Sequence, residues 1–183
     1  MEMRKSRVLR QMRNGKVAFS MKLNLSDPRN AELAAMCGFD CIWIDLEHVP
    51  NNMKDVEETV RAAKIYDVDV LTRVSKGCYS DICRPLEGDS TGIMVPHLMS
   101  LEEAKQIVYY TKFHPIGRRP IDGGNADGKY WIMPAKGMRT ALNLYQPSGI
   151  KGKMVKKLLP CLHWVAPVRK AIKAQTINCR LNS

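Results

Sequence analysis

The sequence predicts a parallel α/β protein, and two observations carry that reading. Strand-like and helix-like patterns alternate four times over residues 17–111, with a repeat of about 25 residues. Acidic, histidine and arginine side chains recur where the predicted strands end, the place where such folds keep their reactive groups.

The elements follow in order. A basic stretch, residues 4–13, reads as a first helix ahead of the sheet; it lacks the apolar core of a secretory signal. Residues 17–23 form the first strand. Asp27-Pro28 then offers an N-cap with proline at the first helical position, and Gly38 stops the helix. Residues 41–44 are a buried strand. Asn52 caps the next helix, whose apolar face is Met53, Val56, Val60 and Ala63. Residues 68–74 are the third strand. A short helix follows over residues 79–88, with Pro85 inside to distort it. Residues 91–95 are the fourth strand, and Ser100 with Glu103 forms a capping box for a last helix. Glycines and prolines make residues 114–128 a loop, in which Arg118 and Arg119 read as solvated.

Composition excludes several classes. The hydrophobic fraction of 45% is ordinary for a soluble domain. No apolar run is long enough to span a membrane. The cysteine pairs Cys37/Cys41 and Cys78/Cys83 are split between element ends, so they read as reduced thiols rather than zinc knuckles. A cytoplasmic location is the matching expectation.

The strand ends carry the chemistry. The second closes with Asp45-Leu46-Glu47-His48, the third with Arg73, and the fourth with His97. An arginine there can clamp a carboxylate, and a histidine beside acids can move protons near neutral pH. By itself this describes a site for a small acidic substrate.

Four ordered segments are more specific: WIDLEHVPNN, LTRVSKG, PLEGDSTGIMVPHLMSLEEAKQIV and HPIGRRPIDGGNADGKY. Together they resemble the metal-dependent class II pyruvate aldolases, the HpcH/HpaI family of 2,4-dihydroxyhept-2-ene-1,7-dioate and 2-keto-3-deoxy-sugar-acid aldolases. The resemblance runs from about residue 17 to about residue 136. It implies part of a TIM (β/α)₈ barrel, about four βα units of it, and in the family a homo-oligomer, usually a hexamer. It implies a carbon–carbon lyase that cleaves a hydroxylated 2-keto acid to pyruvate and an aldehyde. It implies a divalent cofactor, Mg²⁺ or Mn²⁺, acting as a Lewis acid on the enolate. By the same resemblance His48 is the acid/base histidine and Glu87 the carboxylate paired with it. Arg73 binds the substrate keto oxygen, and Asp45 and Glu47 lie beside the metal-bound water.

The remainder of the chain obeys other rules. Residues 1–127 hold 18 Lys and Arg against 18 Asp and Glu; residues 128–183 hold 11 Lys and Arg and no acid. The two metal-ligating carboxylates of the family fall later than Asp127, so no metal ligand is identifiable in this sequence. Residues 1–134 therefore read as the amino-terminal part of an aldolase barrel. Residues 135–183 read as a basic tail, a product of a shifted reading frame or a fused segment. The first reading makes this form an impaired lyase. The alternative is a non-catalytic protein whose half-barrel carries a tail for polyanions, although its aromatic residues match no specific nucleic-acid motif.

The tail reading has a direct test. Trypsin is expected to cut after Lys136, Lys153 or Lys157 well before it cuts between Lys54 and Lys105. Mass spectrometry of a digestion time course reads the order, and uniform resistance of residues 135–183 contradicts a foreign segment.

Overall fold

Local signals start and stop nearly every element. The computed structural model describes residues 4–120, with residues 124, 126 and 130. Helix α1 (Arg7–Arg13) is capped by Ser6. After strand β1 (Ser20–Leu23), Asp27 accepts from the Arg29 amide and caps α2 (Pro28–Met36). Gly38 comes next with a φ of 91°, a left-handed conformation that glycine adopts without a Cβ penalty. Strand β2 (Cys41–Asp45) leads to α3 (Met53–Ile65), where Asn52 and Asp55 form a complete capping box. Strand β3 (Asp69–Arg73), α4 (Tyr79–Glu87), β4 (Gly92–Met94) and α5 (Leu101–Thr111) complete the four units.

The strands form one parallel sheet in the order β1-β2-β3-β4, each neighbour following in sequence. Parallel pairing of successive strands requires a crossover helix every time, which α2, α3 and α4 supply. Ser20 pairs with Cys41, Cys41 with Asp69, and Leu71 with Gly92. Strand side chains alternate between faces. Ile42, Ile44 and Val70 point toward the helices and pack with Ala31, Ala34, Val56, Val60 and Ala63. A second cluster joins Val74, Ile93 and Val95 to Ile82 of α4 and Ile107 of α5. The opposite face of the sheet carries Trp43, Asp45 and Arg73.

One element differs in detail from the sequence reading. The first strand starts at Ser20 rather than residue 17, because pairing begins only where β2 does; Val17 and Phe19 stay exposed. Helix α4 runs through Pro85 to Glu87, within a residue of the range read from sequence. The expected tail, residues 135–183, lies outside the described residues.

Helix α1 is fastened across the amino end of the sheet. Asp69, the first residue of β3, is 1% exposed and accepts from the backbone amides of Arg7 and Val8 and from the Ser6 hydroxyl. Arg4 reaches the same carboxylate at 2.8 Å, and Arg7 reaches Asp40 at 2.8 Å. The cationic charge that marks this segment in the sequence is thus matched to strand-start aspartates. Removing this buried carboxylate takes away the acceptor of the Arg7 and Val8 amides. Asp69→Ala is therefore expected to lower unfolding stability by about 3–5 kcal/mol. Urea unfolding measures it, and a loss under about 1 kcal/mol would mean that α1 is not held in this way.

Candidate active site

The carboxyl ends of β1, β2 and β3 meet around one carboxylate. Asp45 ends β2, has an exposure of 0%, and is bonded from every side. Arg73, paired with it across the sheet, donates from Nε to Oδ1 at 2.8 Å and from its Nη2 to Oδ2. The Lys22 ammonium of β1 is 3.0 Å from Oδ2. The backbone amides of Glu47 and His48 donate to Oδ1 at 2.9 and 3.3 Å, which shapes the turn after β2. Asn51 then closes that turn by donating to the Asp45 carbonyl at 2.9 Å.

The turn presents Glu47 and His48 to the mouth of the sheet. Glu47 is mostly buried, with Oε2 3.2 Å from Arg73 Nε and 3.4 Å from His48 Nε2. Its Oε1 lies 3.5 Å from Nε2 of His97, which comes after β4. His97 holds a left-handed backbone at a φ of 49°, and its carbonyl accepts from Lys76 at 2.6 Å. Both imidazoles are largely exposed, at 63% for His48 and 73% for His97. Trp43 lies under the group, with the Lys22 ammonium 5.4 Å and the Arg73 guanidinium 5.1 Å from its ring centre. Both distances suit cation–π contact.

Four of the five expected site residues, Asp45, Glu47, His48 and Arg73, therefore come together. Glu87, the last residue of α4, is engaged by Arg119. It accepts from Arg119 Nε at 2.7 Å, while Arg119 also donates to the Leu86 carbonyl and covers the Phe113 ring. Arg119 is thus a packed tether at 14% exposure, not the solvated loop residue its sequence context suggested. Sequence reasoning missed Lys22 and Trp43. A lone lysine one residue before the end of an apolar strand was the available signal for the first.

This set of side chains is a poor fit to a divalent ion. Both oxygens of Asp45 already face cations, and Arg73 also lies against Glu47. Among the described residues no group of three or more His, Cys, Asp or Glu is arranged to hold a metal.

A parallel βα sheet whose charged and proton-transferring groups collect at the strand ends defines an enzyme-like half of a TIM barrel. The chain belongs to the HpcH/HpaI aldolase/citrate lyase family, whose sequence profile matches residues 19–156, past the limit that the motifs alone suggested. A 2-keto-3-deoxy-L-rhamnonate aldolase of Klebsiella pneumoniae is 30% identical over 122 residues, which are 67% of this chain and 46% of that enzyme. The enzyme of that description from Escherichia coli K12 is 28% identical over 121 residues, 66% of this chain and 45% of the other. The chain thus spans about half the length of the curated relatives it matches. Among solved structures, an HpcH/HpaI aldolase from Desulfitobacterium hafniense aligns with a TM-score of 0.69 at 23% identity, over 78% of this chain and 54% of that one. The citrate synthase SbnG aligns at 0.65 and 24%, over 78% and 52%. Both likenesses speak for the fold. Among the described residues no helix is long and apolar enough to cross a membrane.

The Asp45 carboxyl titrates far from its ordinary value. Burial alone would raise its pKa, but the Arg73 guanidinium, the Glu47 amide, Lys22 and the His48 amide outweigh that and hold it well below 3.8. A carboxyl depressed on folding contributes stability above its unfolded pKa and loses it as pH falls toward the folded value. Stability is therefore expected to drop as pH falls below about 3.8. In Asp45→Asn that acid limb should be shallower. Unfolding midpoints measured from about pH 6 downward, across the carboxylate range, read the difference, and identical limbs would contradict the assignment.

Proposed function

We propose that this chain carries the keto-acid half of a carbon–carbon lyase of the pyruvate aldolase type, acting on a hydroxylated 2-keto acid and weakened in this 183-residue form. The observation that supports it most is Arg73, fixed by Asp45 beside Glu47 and His48 at the mouth of the sheet. Family membership and the names of the aldolase relatives point the same way.

Each residue has a role in that reaction. Arg73 faces the keto oxygen of the substrate. His48 takes the proton of the hydroxyl on the carbon beyond the scissile bond. That carbon becomes an aldehyde as the bond breaks, and the electron pair moves onto the keto oxygen as an enolate. Arg73 stabilises the new charge without moving, because Asp45 already fixes its Nε–Nη2 edge and Nη1 remains to donate. A proton returned to the methylene carbon gives pyruvate. Glu47 lies 3.4 Å from the imidazole that carries the proton between the two transfers. No step is assigned to Glu87, which pairs with Arg119. None is routed through a metal, since the described carboxylates are engaged by Lys22 and Arg73.

The test separates binding from proton transfer. Exchange of the pyruvate methyl protons in D₂O, followed by NMR, is expected to be slow and His48-dependent. His48→Ala should lower it by about 100-fold or more while pyruvate still binds, and Arg73→Met should remove the binding. Steady cleavage or oxaloacetate decarboxylation should be small, with Mg²⁺, Mn²⁺ and chelator making little difference. Exchange no faster than in buffer contradicts the lyase reading. Turnover abolished by chelator and restored by Mn²⁺ contradicts the account of the carboxylates.

A further inference from the structure

Lys22 has no part in the proton and electron movements assigned to Arg73 and His48. It sits on β1, one residue before that strand ends, and pairs in register with Trp43. Its Nζ is 3.0 Å from Asp45 Oδ2, the oxygen that also accepts from Arg73 Nη2. Two cationic side chains from strands on either side of β2 thus converge on one carboxylate oxygen.

Asp45 does not need the second of them. A carboxylate offers about four lone-pair directions. Arg73 fills two, and the amides of Glu47 and His48 add two more donors. Lys22 is a fifth. An ammonium has three N–H groups, and among the described residues Asp45 is the carboxylate that Lys22 meets. Its side chain is 31% exposed, against 16% for Arg73 and 0% for Asp45, so the lysine is the open side of the cluster. The indole face of Trp43 lies beside it. Charge is uneven as well: Glu47 approaches Arg73, and no contact brings it to Lys22. Lys22, Arg73 and Asp45 by themselves sum to one positive charge.

Resting on the keto-acid reading, we propose that Lys22 is a second cation of the site and receives the substrate carboxylate, while Arg73 takes the keto oxygen. A 2-keto acid carries those two groups on adjacent carbons. Two donors that already reach a single oxygen lie close enough together to hold a pair of neighbouring oxygens. The arrangement supplies two charge-assisted hydrogen bonds from side chains whose positions Trp43 and Asp45 fix before the ligand arrives. The preferred ligand is a short monoanionic 2-keto acid, and the electrophile is left to the side where His48 and His97 stand.

Calorimetry on the whole chain tests this with pyruvate and with pyruvamide, which keeps the keto oxygen and lacks the carboxylate charge. The unmodified chain should bind pyruvate more tightly than pyruvamide. Lys22→Met should weaken pyruvate by about tenfold or more and leave pyruvamide little changed. Lys22→Arg, which keeps the charge, should restore most of the preference, and circular dichroism reports whether each variant is folded. Equal weakening of both ligands would mean that Lys22 acts only through Asp45, and the inference falls. No effect of Lys22→Met, with pyruvate binding lost in Arg73→Met, removes Lys22 from the site and leaves the lyase reading standing. Pyruvate binding that survives Arg73→Met unchanged overturns that reading and this one together.

Discussion

The pairing of Asp45 with Arg73 is the constraint on which the site depends. A carboxylate with no solvent exposure is costly unless its partners replace water completely. Here they do, and each partner ties two parts of the fold together. Arg73 ties β3 to β2, Lys22 ties β1 to β2, and two backbone amides turn the chain after β2. The same bonds that neutralise Asp45 place Glu47 and His48 at the mouth. Turn geometry and the placing of Glu47 and His48 follow from satisfying one buried anion.

The fold was legible because its signals are local. Asp27-Pro28, the Asn52–Asp55 capping box and Ser100 start helices where their chemistry says they should. The apolar spacing of Val56, Val60 and Ala63 names the face of α3 that is buried. Pro85 lies inside α4, where the sequence reading put it. A single missing donor is tolerated in a helix whose Ile82 and Cys83 are buried against neighbours.

The site was legible in part, for a topological reason. Asp45, Glu47, His48 and Arg73 lie on strand ends, and a parallel sheet brings all its carboxyl ends to one side. Glu87 lies on a helix end, outside that rule, and pairs with Arg119. Its partner Arg119 could not be read from sequence, since that pair joins residues 32 apart through a loop of no regular pattern. Lys22 and Trp43 were hidden because their importance is a matter of register: a lysine in a strand means little until the residue beside it in the next strand is known.

The fastening of α1 has a consequence for synthesis on the ribosome. The helix is made before the sheet, yet the carboxylate that accepts from its first amide, Asp69, comes 62 residues after Arg7. At ordinary elongation rates about 3–12 s pass between the two. Throughout that interval Arg4 is without the aspartate it later meets at 2.8 Å, and the Ser6 hydroxyl without its acceptor. The floor of the sheet is therefore laid only once its third strand has begun, and helix α1 waits for a carboxylate made after β1 and β2.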